Sequence, residues 1–252
     1  MNCPNNTTSG FDNSSRIPAP QLNPFILATT WFTVIACALS LLGNGLVLFL
    51  FVRTRALRTS FNIYIANVAA AEIIYGICGI PVQFANQYYN YWPYGFGWCS
   101  FLEGGATVAG ASIRQAHMLM TLNRMWAILQ PHSYNQQHTW KMALFFILLT
   151  WGLVAGANKV SPLQVASRKR SRGRTGNGSN RVFVYVSIAV TLCWSSTSAF
   201  WILADHTGYW DETYYGLQTC ITYANSVLNP VLCFVAMEKY RLALKKCYPA
   251  SV

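Results

Sequence analysis

Six long apolar segments, about 25–52, 61–81, 99–122, 142–158, 182–204 and 213–237, decide what this chain can fold into. A bilayer core takes roughly 20 residues of helix to cross, and five of the six meet that length. The fourth, Met142 to Asn158, has only 17 residues before Lys159 and sits at the short end of the range. In lipid a chain must satisfy its backbone groups within each span or close a barrel. The period-two alternation of barrel strands is absent, so the segments are predicted to be helices and the fold class all-α. Composition agrees: only 10% of the residues are charged and 53% are hydrophobic, against roughly 25% charged in an ordinary soluble domain.

The net charge of +11 would suit a nucleic-acid partner if it were concentrated on one face, but it is confined to loops. Arg53, Arg55 and Arg58 lie between the first two segments, and Arg168, Lys169, Arg170, Arg172 and Arg174 precede the fifth. Lys239, Arg241, Lys245 and Lys246 follow the last. The loops 82–98 and 205–212 hold no Lys or Arg, and the second carries Asp205, Asp211 and Glu212. Positive charge collects on the cytoplasmic side of a membrane, so the basic segments are expected inside, the acidic loop outside, and no nucleic acid is expected as a partner. The chain then divides into an extracellular polar tail (1–24), a helical bundle (25–237, with a basic loop at 159–181) and a cytoplasmic end (238–252). The tail shows no cleavable signal peptide, and the first span is read as the insertion signal. Sequons at Asn5, Asn6 and Asn13 fit an exterior tail that is glycosylated; a fourth at Asn177 sits beside the basic run and is expected to stay unmodified.

An exterior N-terminus and an interior C-terminus require an odd number of crossings, whereas six segments are apolar. If 142–158 crosses, the basic run emerges outside and the acidic loop inside. If it is re-entrant or interfacial, five crossings satisfy every loop. A third reading is that a span has been lost between Asn158 and Arg168.

The order of motifs resembles the rhodopsin-like family of G-protein-coupled receptors. Gly43-Asn44-Gly45-Leu46-Val47-Leu48 looks like its first helix, and Asn62-Ile63-Tyr64-Ile65-Ala66-Asn67-Val68-Ala69-Ala70-Ala71-Glu72 like its second, with Glu72 where the family has aspartate. Arg124 follows Cys99 by 25 residues, the family's spacing between its outer cysteine and inner arginine. Asn123-Arg124-Met125 stands for D-R-Y, with Pro131 and Tyr134 following, and Trp151 matches the single tryptophan of the fourth helix. Cys193-Trp194 resembles the sixth helix and Asn229-Pro230 the end of the seventh, while Glu238 to Tyr248 looks like the amphipathic eighth. Nine residues separate Asn158 from the basic run, so the fifth helix is read as absent. The resemblance thus implies a rhodopsin-like bundle with about six of its helices plus the amphipathic one.

That resemblance implies roles. Arg124, with Asn123 in place of its carboxylate partner, would couple to a heterotrimeric G protein, and raised basal activity is expected because no acid holds the arginine. Asn44, Glu72, Asn225, Ser226 and Asn229 would converge at mid-membrane, where polar groups are costly unless paired. In the family this cluster holds a sodium ion, but the serine its third helix contributes is Ile113 here. Arg114 and His117 share a face of the third segment, and Glu72 is expected to pair with one of them. Trp194 and Pro230 would be activation switches, although Ser196 replaces the family's proline and Cys233 its tyrosine.

Glu103, Ala106, Trp194 and Tyr223 would line a pocket for a small-molecule or peptide ligand. Ala106 stands where amine receptors carry their aspartate, which argues against a monoamine. Cys99 lacks its usual outer-loop partner; the partner is either absent or Cys3. Cys247 is a palmitoylation candidate. The sequence holds no metal cluster, phosphate loop or nucleophile triad, so no cofactor and no enzymatic step are expected. Two other readings stand beside a plasma-membrane receptor. One is a truncated, non-signalling relative retained in the endoplasmic reticulum or paired in a receptor dimer. The other is a small transporter or channel, although the internal repeats of that class are lacking.

Overall fold

The computed structural model describes residues 23–85, 95–157, 199, 207 and 212–247. All regular structure among them is helical: α1 (Pro24–Arg53), a 3₁₀ turn (Arg55–Leu57), α2 (Asn62–Phe84), α3 (Phe96–Leu129), α4 (Pro131–Gln137), α5 (Trp140–Ala157), α6 (Glu212–Ala236) and α7 (Glu238–Cys247). At 1.5 Å per residue, the 30 residues of α1 and 25 of α6 run about 45 and 37 Å, longer than a hydrocarbon core of about 30 Å. The expected segments at 25–52, 61–81, 99–122 and 213–237 are each found as one helix, with ends shifted by one to seven residues. The 182–204 span apart from residue 199, the gap read as a missing fifth helix and the basic loop lie outside the described residues.

Local chemistry sets several helix ends. Asn23 caps α1 by accepting the Phe25 amide at 3.0 Å, and Pro24 occupies the first turn, where its missing N–H costs nothing. Gly95, at φ 82°, starts α3 in a conformation that side chains resist. Pro131 opens α4, a short helix the sequence reading did not anticipate.

The burial pattern of α1 is the reverse of a soluble helix. Thr29, Thr30, Thr33, Ser40 and Asn44 face inward with Ala36, Cys37 and Val47, whereas Leu42 is 73% and Val52 65% exposed. Phe145, Leu148 and Leu153 do the same on α5. Lipid accepts leucine as readily as a core does, so small and polar residues take the helix contacts. Among the described residues, α1, α2 and Thr213–Ala236 are long and apolar enough to cross a membrane; α4 and α5 qualify only together, across an 88° bend.

The short segment at 142–158 is explained by its neighbours. Ala143 and Ile147 pack on Ile63 and Tyr64 at the start of α2. One or two turns on, Trp151 donates its indole N–H to Asn67 Oδ1 at 2.9 Å and packs against Ala71 and Ile113. Helix α5 therefore climbs alongside α2 and α3; an interfacial helix would lie across their ends. Helix α6 runs parallel to α1: Gly216 lies at Phe25 and Thr29, and Pro230 lies at Gly43. The described helices thus leave the bundle after Ala157 and re-enter it at Glu212 at the same end. The α7 helix folds back beneath, burying Tyr240 and Ala243 against Val47, Leu50 and Leu57.

Candidate functional site

Two polar constellations stand out, one at mid-bundle and one at the inner end. At mid-bundle, α1, α2 and α6 bring Asn44, Glu72, Ser226 and Asn229 together, all at most 8% exposed. Asn44 Nδ2 donates to the Ser40 carbonyl at 3.0 Å, to Ser40 Oγ at 3.1 Å and to the Ser226 carbonyl at 3.4 Å. Ser226 Oγ and Asn229 Nδ2 donate to the two oxygens of Glu72 at 2.6 and 2.7 Å. Asn225 is buried beside them, its Nδ2 without a hydrogen-bond partner among the described residues. The expected pairing of Glu72 with Arg114 or His117 is not made: its partners are on α6. His117 is buried on α3 with Nε2 unsatisfied among the described residues.

At the inner end, Arg124 and Asn123 diverge. The Arg124 guanidinium carbon lies 3.5 Å from the centre of the Phe61 ring. Asn123, buried, donates from Nδ2 to His138 Nε2 at 2.7 Å and accepts from the Tyr134 hydroxyl at 3.1 Å. His138 stacks on Tyr134 at 4.4 Å and on Tyr64 at 6.0 Å, with Trp126 edge-on to both Tyr134 and His138. Asparagine here binds the inner loop to α3 and leaves the arginine to an aromatic face. Sequence reasoning singled out Tyr134 but missed His138 and Phe61, because their roles depend on helices far apart in the chain.

Burial holds the His138 imidazole below its ordinary value. Burial also pushes the Tyr134 phenol up, while the Arg124 charge and the Asn123 bond pull it down. Folding thus favours neutral His138. Below about pH 6.5 the unfolded chain binds more protons than the folded one, so stability falls with pH there. Acidification from about pH 7 to 5 is expected to lower the thermal midpoint of detergent-solubilised protein, with a shallower fall in His138→Gln. Tyr64 and Tyr134 are the titratable groups stacked on the ring; a profile unchanged by the substitution would remove His138 as the cause.

Toward the outer end, Tyr223 is buried with Ala36 and Cys37, its ring 5.6 Å from that of Tyr75. A Cβ on Gly79 would lie 3.1 Å from the Tyr223 hydroxyl and 3.8 Å from Ala106 Cβ, so these residues close on α2. Glu103 is half-buried one turn above Ala106. Gln83 ties α2 to α6, donating to Thr219 Oγ1 at 3.2 Å and accepting from the Tyr215 hydroxyl at 2.7 Å. Cys99 is disulfide-bonded, which removes the reading that it has no partner. That partner, like Cys3, Trp194, Asn5, Asn6 and Asn13, lies outside the described residues. Cys247 is a half-buried free thiol ending α7, and Pro230 packs against Gly43.

Apolar faces turned outward, polar faces turned inward and helices running alternately between two ends define a multi-pass helical membrane protein. Comparison with known families matches residues 43–161 to the 7 transmembrane receptor (rhodopsin family). Similar curated proteins include the alpha-2 adrenergic receptor of Carassius auratus, 30% identical over 46% of this chain and 27% of that receptor. The alpha-2B adrenergic receptor of Macroscelides proboscideus is 31% identical over 49% of this chain and 32% of its own length. The human D(1B) dopamine receptor is 29% identical over 54% and 28%. Residues 43–161 are similar to the rhodopsin-like receptor family, and the chain's matches span about a third or less of these relatives' lengths.

Proposed function

We propose that this chain is a plasma-membrane receptor that passes an extracellular ligand's signal to heterotrimeric G proteins. One observation carries the reading. Arg124 on α3 and the amphipathic α7 both lie toward the end of the bundle marked by Phe61 and Leu57. The family presents its G-protein surface at that end. The ligand chemistry differs from that of the adrenergic and dopamine relatives. Ala106 offers no carboxylate, which leaves Glu103 as the acidic group for a cationic small molecule or peptide. Glycans on Asn5, Asn6 and Asn13 and a palmitoyl group on Cys247 belong to the same reading.

A second reading is a non-signalling relative, retained in the endoplasmic reticulum or acting within a receptor dimer. It is favoured by the nine residues between Asn158 and the basic run. A glycosylation or protease tag near Gly173 in surface-expressed protein separates the two. A chain that leaves and re-enters at the same end crosses an even number of times between. A cytoplasmic tag is expected for the receptor. An extracellular tag would leave the inner face without its basic loop and support the non-signalling relative.

A further inference from the structure

We infer that Glu72 closes the mid-membrane site against sodium and carries a proton in place of the ion, latching α2 directly to α6. The family resemblance leads one to expect a sodium ion at this cluster, and the residues present do not fit it. A cation needs oxygen ligands turned toward it, yet the groups turned toward Glu72 are donors: Ser226 Oγ at 2.6 Å and Asn229 Nδ2 at 2.7 Å, one on each carboxyl oxygen. Asn44 likewise turns its amide nitrogen to the Ser40 and Ser226 carbonyls. Where the third helix of the family offers a serine, Ile113 is fully buried and packed on Ala71, next to Glu72 in sequence. Its side chain has no ligand atom.

Charge balance then decides the protonation state. Glu72 is 1% exposed, and its partners are neutral. A buried carboxylate without a counter-charge is costly enough that such groups take up a proton instead. The hydrogen bonds allow it. In the neutral form Oε2–H donates to Ser226 Oγ, the serine hydroxyl turns to the Thr222 carbonyl at 3.4 Å, and Oε1 still accepts from Asn229. Glu72, Ser226 and Asn229 then each keep a hydrogen-bond partner without a charge on the carboxyl.

The test needs no ligand and no signalling, so its failure is separable from failure of the receptor reading. Thermal unfolding of detergent-purified protein is compared in sodium and potassium chloride at equal concentration near neutral pH. The infrared carbonyl band of a protonated carboxyl is compared between wild type and Glu72→Gln. The proposal expects the same midpoint in both salts and a protonated-carboxyl band that disappears in the Gln variant. Glutamine can repeat both hydrogen bonds, so that variant should keep its midpoint. A sodium-specific rise in the wild-type midpoint would overturn the exclusion of the ion, and a spectrum unchanged by Glu72→Gln would overturn the proton. The wild-type salt comparison holds even if the variant fails to fold.

Discussion

Gly43→Ala is expected to lower the thermal midpoint of the solubilised protein by several degrees, whereas Gly45→Ala two residues on should leave it unchanged or raise it. A Cβ on Gly43 would lie 2.6 Å from Pro230 Cγ and 3.0 Å from its Cβ. The proline ring cannot rotate aside, because it is closed onto the backbone of α6, so α1 and α6 must separate. Forcing a methyl into a packed contact costs about 1–3 kcal/mol, and each kcal/mol shifts the midpoint of a chain this size by about 2–4 °C. A Cβ on Gly45 meets nothing within 4 Å, and replacing helical glycine by alanine there gains up to about 1 kcal/mol. A thiol-reactive dye that reports on buried Cys37 can follow both. Equal midpoints for the two variants would mean that α1 and α6 do not approach at Gly43. Recovery in the double variant Gly43→Ala with Pro230→Ala would identify the ring as the obstacle.

Arg124→Ala should reduce ligand-independent nucleotide exchange on a G protein to the level of mock membranes, and Phe61→Leu should raise it severalfold. The guanidinium rests 3.5 Å from the Phe61 ring centre while Asn123 is engaged with His138 and Tyr134. A cation held on an aromatic face is stabilised by about 0.5–2 kcal/mol, which is roughly 2- to 30-fold in the population of the released arginine. Leucine fills the space without the ring's negative face. Measuring exchange in membranes with matched surface expression separates the effect from folding. If wild type, Arg124→Ala and Phe61→Leu all equal mock membranes, coupling is absent and the non-signalling relative becomes the better account.

Much of this protein follows from residue types and their spacing. Lipid forces helices on any apolar segment of sufficient length, so the helices α1, α2, α3 and α6 could be read directly, as could the amphipathic α7 with its Lys245 and Lys246. Family spacing also located Asn44, Glu72, Ser226 and Asn229 as neighbours, because helical depth fixes which residues share a level. Which atoms then bond depends on side-chain reach. The sequence reading gave Glu72 to Arg114 or His117, which are charged or chargeable, but its carboxyl bonds Ser226 and Asn229 on α6. The direction of α5 was undetermined for a related reason. Its length is marginal, and only its packing on Ile63, Asn67 and Ala71 shows that it climbs beside α2.

Composition, apolar length and motif order alone therefore determined the solvent, the helical class and the family resemblance, since each follows from local chemistry within single segments. Tertiary structure decided the Phe61 seat of Arg124, the Asn123–His138–Tyr134 joint and the α2–α6 latch at Glu72. Each of these joins groups on separate helices, and their contacts depend on how closely those helices approach.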